Sequence, residues 1–325
     1  MTAPAARTID VHAHYFPTAY VDLLEEIGNG EIEMRSPRAG SWPTTEADLE
    51  QRIEAMDRAG VDVQILSVAA GGPYLRDAVA ATRAARTAND RYAEAVRRRP
   101  QRLAAFAVLP LPHVEPALAE LARAFDELGM IGVGICTVMA GKYLGDPVFD
   151  PIYAELDRRR AVLFVHPTAG ACGSPLLLQS GLAWPLGAPL EDAAAALQLL
   201  QTGFVRRFPN VRVVISHLGG MLPFVTERLD HTVERFMPGL GRPSEELKHF
   251  WYDTANGHPA ALRCACDTLG VERLVLGVDY PFVRGAEYDH GNAYLDAIGL
   301  SAAEVRAIRT TNAATLLGAF ASSIG

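Results

Sequence analysis

Lysine is almost missing from this chain. Only Lys142 and Lys248 occur in 325 residues, and arginine supplies the rest of the positive charge. We read that bias as genome composition, although it limits the metal chemistry available, as argued below. Cysteine is sparse too: Cys136, Cys172, Cys264 and Cys266 are scattered. Cys264 and Cys266 fall two apart in an alanine-rich helical run, where they do not share a face, so packed thiols are expected. No run approaches the roughly 18 apolar residues of a membrane span. The opening Met-Thr-Ala-Pro-Ala-Ala-Arg has no apolar core of a secretion signal. A cytoplasmic, reduced protein with no membrane partner is the expectation. Positive charge is also in deficit, 30 basic against 38 acidic residues, for a net charge of −8 and a pI near 5.6. That argues against nucleic acid as a partner, while a local arginine cluster could still hold a small anion. Finally, no Gly-x-Gly-x-x-Gly follows an early strand, which weakens a doubly wound open sheet.

What the chain does have is a repeated alternation of short apolar strands and helices. Strands are predicted over 8–14, 61–68, 103–109, 131–138, 162–166, 211–217, 250–254 and 273–279. Helices are predicted over 45–59 (stopped by Gly60), 74–99, 115–128, 147–160, 190–208, 222–236 and 259–269, with further helices to about 320. Eight such units predict an α/β fold, a single (β/α)8 TIM barrel spanning 1–325. The stretch 15–45 is long for a βα connection, so a small insertion or lid over the site is expected there.

The histidines then sort by position. His12 and His14 close the first strand, two apart and therefore on one face, with Ile9 and Val11 expected on the other. His166 closes the fifth strand, His217 the sixth, and Asp279 the eighth. In a barrel all these strand ends share the C-terminal face, where active sites sit. A buried aspartate after a run of apolar and small residues needs a partner, and a metal supplies one. Sites with two metals commonly need a carboxylated lysine on a middle strand. Lys142 lies in a loop beyond strand four and Lys248 precedes strand seven, so neither fits. One divalent ion per chain is expected, held by His12, His14, His166 and Asp279, with a position open to water or a substrate oxygen. His217 is left for proton transfer, and Asp279 is counted with it as a catalytic residue.

At this point the chain resembles the amidohydrolase superfamily, and within it the branch of aminocarboxymuconate-semialdehyde decarboxylase. The resemblance runs nearly end to end. It is carried by Asp10-Val-His-Ala-His14, by Arg52-Ile-Glu-Ala-Met-Asp-Arg-Ala-Gly-Val-Asp-Val-Gln64 and by Asn89-Asp90. Further on it is carried by Phe164-Val-His-Pro167, by His217-Leu-Gly-Gly-Met-Leu-Pro-Phe224 with Arg228, by Leu276-Gly-Val-Asp-Tyr-Pro-Phe282 and by Asn312-Ala313.

The resemblance implies non-oxidative decarboxylation of a small unsaturated or aromatic acid at one zinc, with manganese the alternative ion. It carries the ligand roles onto His12, His14, His166 and Asp279, and the acid/base role onto His217. It assigns Arg52 and Arg228 to the substrate carboxylate, a task suited to a guanidinium fork, and Trp184 and Phe282 to the pocket walls. It also implies a homodimer. Arg228 lies eleven residues past His217, three helical turns or roughly 16 Å away, so it would act in the partner's site. The run Thr168-Ala-Gly-Ala-Cys-Gly-Ser174 departs from the bulkier residues of relatives and Val278 replaces a common Ser or Thr; both bear on substrate identity. A hydrolase of lactones or amides, or a hydratase, on the same constellation is the alternative activity.

Overall fold

A computed structural model of the protein describes residues 7–27, 45–168 and 170–324. Eight parallel strands form its centre: β1 (Ile9–His14), β2 (Val63–Ser67), β3 (Leu103–Ala105), β4 (Gly132–Cys136), β5 (Val162–His166), β6 (Arg212–Ile215), β7 (Trp251–Asp253) and β8 (Leu274–Val275). They pair in two arcs, β1 to β3 and β4 to β8. Backbone bonds close the seams. Val11 N–H reaches Leu276 O at 2.9 Å between β1 and β8, and Ala107 N–H reaches Gly132 O at 2.8 Å between β3 and β4. The result is the expected (β/α)8 barrel.

Helices follow most strands, and their ends show why the sequence stops them where it does. The helix Glu46–Ala59 begins in a reciprocal cap between Thr45 and Asp48 and ends at Gly60, whose φ of 68° suits glycine. The predicted helix 190–208 is two pieces, Ala188–Gln201 and Phe204–Arg207, because Gly203 breaks it at a φ of 68°. The predicted strand ends 211–217 and 273–279 are also shorter than expected. His217, Leu218 and Asp279 have φ of 54°, 59° and 73°, outside any strand geometry. Within 15–45, Thr18–Ile27 is a helix that buries Tyr20, Val21, Leu23 and Leu24 and packs against the helix Ala78–Arg98. The rest of the expected insertion or lid, 28–44, lies outside the described residues. No described helix is long and apolar enough to cross a membrane.

The lumen is filled from the inward faces of seven of the eight strands, all but β4, by Ile9, Val11, Val63, Ile65, Ala104, Val162, Phe164, Val214, Trp251 and Val275. One detail corrects the simple alternation on β1. Asp10 pairs with Gln64 but Ala13 pairs with Leu66, so three steps on β1 match two on β2. This extra residue is a β-bulge. It lets Val11 and His12 both face inward: Val11 shares the lumen cluster with Phe164, and the His12 ring lies 5.0 Å from Phe164. The expectation that Val11 opposes the histidines fails for that reason.

Candidate metal and active site

The bulge delivers two histidines to the mouth of the barrel, and β5 delivers the third. The three rings gather at centroid distances of 5.0 Å (His12–His14), 5.1 Å (His12–His166) and 4.7 Å (His14–His166). Asp279, just past β8, brings Oδ1 to 3.3 Å from His12 Nε2 and 3.0 Å from His14 Nε2. One ligand atom from each of His12, His14, His166 and Asp279 lies within 4.8 Å of every other. β8 approaches this closely only because residue 277 is glycine, since a Cβ there would sit 2.7 Å from Asp253 Cβ and 2.8 Å from His12 Cβ.

Whether the set suits a metal is tested by its unmet valences. His166 Nε2 and Asp279 Oδ1 are buried without a hydrogen-bond partner, which is costly unless something else binds there. The far sides of the rings are held. His12 Nδ1–H donates to Asp253 Oδ2 at 2.8 Å, His166 Nδ1–H donates to Pro167 O at 2.8 Å, and Ser67 Oγ lies 3.4 Å from His14 Nδ1. Rings anchored through Nδ1 present Nε2 to a common point, as metal-binding histidines do. The residues fit a divalent ion. The same charges perturb one another. Burial draws His12 down, but the carboxylates of Asp253 and Asp279 outweigh it and raise its pKa to about 9. Burial lowers His14 to about 4. His166 falls well below its ordinary value through burial and the neighbouring imidazoles.

His217 stands beside the group, its ring 5.1 Å from His12 and 5.3 Å from His166. Its Nε2 lies 3.7 Å from Asp279 Oδ2. It is not among the four converging ligands. Burial works against protonation of His217, yet the carboxylates of Asp192 and Asp279 move its pKa well above the ordinary value.

Over these groups opens a cavity of about 510 Å³, lined by His166, Trp184, His217, Asn256, Asp279 and Phe282 among others. Trp184 and Phe282 are 6.1 Å apart, and Phe282 packs 5.1 Å from the His14 ring. A second cavity, lined by Thr137, Tyr143 and Glu191, contains none of the converging ligands.

Neither arginine assigned to the substrate carboxylate lines the cavity over the converging ligands, as expected for Arg228 but not for Arg52. Arg52 is 2% exposed, with its guanidinium bonded to Gln64 Oε1 and His14 O and stacked 4.4 Å from the Tyr280 ring. It braces the wall behind β1 and does not line the cavity. Arg228 is exposed on the helix Leu222–Phe236 and does not line it either. Lys142 pairs with Asp146 at 2.9 Å. Three buried aspartates escaped the sequence reading. Asp253 joins His12 to the backbone of His217 through a 3.0 Å bond from His217 N–H, and its place at a strand end was a usable signal. Asp10 accepts from His12 N–H and Gln64; Asp192, on a helix, gave no signal.

The family profile of the amidohydrolases matches residues 9–319. The 2-amino-3-carboxymuconate-6-semialdehyde decarboxylase of Dictyostelium discoideum is 30% identical over 302 residues, covering 85% of this chain and 82% of that protein. A 6-methylsalicylic acid decarboxylase of Aspergillus aculeatus is 33% identical over 287 residues, covering 84% of each. The solved 5-carboxyvanillate decarboxylase of Novosphingobium aromaticivorans, with bound manganese, superposes at a TM-score of 0.82 with 22% identity, over 96% of this chain and 97% of that one. With its motifs, barrel and ligand cluster in agreement, the chain belongs to the amidohydrolase family, in the branch of aminocarboxymuconate-semialdehyde decarboxylase and related carboxy-lyases.

Proposed function

We propose that the protein removes carbon dioxide, without oxidation, from a small planar acid, aromatic or conjugated, at one zinc ion. The observation that carries this reading is the division of labour at the barrel mouth. Four side chains converge as ligands, and a fifth, His217, is held apart beside them under an aromatic-walled cavity. The cavity volume suits a ring-sized acid, and the aromatic lining by Trp184 and Phe282 supports that reading. Three imidazoles and a carboxylate suit zinc, although related structures carry manganese. The ion would supply a positive charge that orients the acid and stabilises electron density as it builds.

The chain's own residues do the rest. As the bond from ring carbon to carboxyl carbon breaks, its electron pair stays on the ring carbon. That carbon takes a proton from His217 Nε2, and carbon dioxide leaves with both oxygens. Solvent returns the proton to His217, so the net change consumes one proton. A homodimer completes the reading, with Arg228 of one copy serving the other. The support is the apolar surface on the same helix, where Phe224 is 87% exposed, and the exposed Leu176, Leu178, Leu182 and Leu186 beside Trp184.

The test is carbon dioxide release from a panel of 2-amino-3-carboxymuconate semialdehyde, 6-methylsalicylate, 2,6-dihydroxybenzoate and 5-carboxyvanillate, run in deuterated water. The expected product carries one deuterium at the carbon that lost its carboxyl group. Hydrolysis of lactones by an enzyme that releases no carbon dioxide from the panel would overturn the reading.

A further inference from the structure

His217 is held from three directions. Its Nδ1 lies 2.9 Å from Asp192 Oδ2, and Asp192 is fully buried. Asp192 is itself fixed, because Ser216 Oγ–H donates to Oδ1 at 2.9 Å. The His217 N–H donates to Asp253 Oδ1 at 3.0 Å, which anchors a backbone at a φ of 54° that a histidine seldom adopts unaided. The turn that follows is pressed onto the helix bearing Asp192. A Cβ on Gly220 would lie 1.8 Å from Pro189 O, so only glycine permits that approach. The helix and the turn are thus locked together, and with them the Asp192–His217 pair.

We propose that Asp192 is a positioning residue that keeps a proton on His217 Nδ1 and turns Nε2 alone toward the reacting carbon. This rests on the reading of His217 as the proton carrier. Asp192 is neither one of the converging residues nor itself part of the cavity lining, so it reaches the site through the His217 ring. Its chemistry follows from the two nitrogens being distinct. With Nδ1–H bonded to a carboxylate, the proton that moves to carbon can leave only from Nε2. Without that bond the ring is free to rotate about its side-chain torsions and to place its proton on the wrong nitrogen.

The test compares wild type, Asp192→Asn and Ser216→Ala, each reconstituted with zinc and labelled with ¹⁵N-histidine. Long-range ¹H–¹⁵N spectra should show a proton held on His217 Nδ1 in the wild type, and that signal should be lost or displaced in Asp192→Asn. On the panel acid that the wild type decarboxylates fastest, kcat should fall on the order of 10²-fold or more. KM should stay within about twofold, and zinc content should not change. Ser216→Ala, which removes one bond to Asp192 and little volume, should shift the Nδ1–H signal and lower kcat by a smaller factor. An unchanged Nδ1–H signal with unchanged kcat in either variant overturns the proposal, as does a rise in KM alone. Should the wild type decarboxylate nothing on the panel, the reaction reading fails. The spectra would still decide whether Asp192 holds the ring.

Discussion

Arg52 separates two physical roles that a motif alone cannot. As a substrate clamp it would bind a carboxylate. As placed here it is a buried brace, bonded to Gln64 and His14 O, over Tyr280, with Gln64 in turn 2.8 Å from Asp10. Burial also pulls its pKa down from the ordinary arginine value. Arg52→Met keeps much of the apolar stem and removes the guanidinium. Two buried acceptors lose a donor, at about 1–3 kcal/mol each, and the stacking on Tyr280 is lost, about 1–2 kcal/mol. Relief of burying a charge offsets part of this. A net loss of about 2–4 kcal/mol follows, which lowers Tm by about 2–4 °C per kcal/mol in a chain of this order of size. Thermal unfolding at matched zinc content, with steady-state kinetics on the panel acid that is turned over, measures both roles. The brace predicts a drop in Tm of roughly 5–15 °C and a KM within about threefold. Losing a charge-assisted contact to substrate, at about 1.5–3 kcal/mol, would instead raise KM by about 10- to 150-fold. A folded variant with unchanged Tm and a KM raised tenfold or more refutes the brace.

Three further outcomes are expected. Purified protein should hold about one equivalent of divalent metal per chain, and His12→Ala, His166→Ala and Asp279→Ala should each lose it by elemental analysis while His217→Asn keeps it. Metal uptake by the metal-free protein should release about one proton at pH 7–8, because His12 is protonated below about pH 9 and must lose that proton to bind. His14, lowered to about 4, and His166, lowered well below its ordinary value, have none to lose there. Affinity should therefore rise with pH up to about 9 and then level off, and titration calorimetry in buffers of different ionisation enthalpy that finds no proton release contradicts this. Co-refolding Arg228→Ala with His217→Asn should restore about a quarter of wild-type activity if Arg228 serves the other copy of a two-fold dimer. Activity at the level of either parent would show that it does not.

Much of this protein was legible along the chain because its information is local. Strand and helix periodicity, Gly60 as a stop and the five strand-end residues His12, His14, His166, His217 and Asp279 follow from spacing, and a barrel sends all strand ends to one face. Only the tertiary structure decided how those side chains are aimed and held. The bulge on β1 turns His12 inward against simple alternation, because one extra residue inverts the facing of all that follow. Asp192 and Asp253 meet His217 from 25 and 36 residues away, and no local pattern encodes a hydrogen bond between a helix and a distant turn. Arg52 illustrates the converse. Its motif was visible in sequence, but whether a guanidinium faces a cavity or a wall depends on which neighbours fill the space around it. The sequence therefore named the side chains that converge at the barrel mouth, and packing alone determined how they are aimed and which charged groups brace the wall behind them.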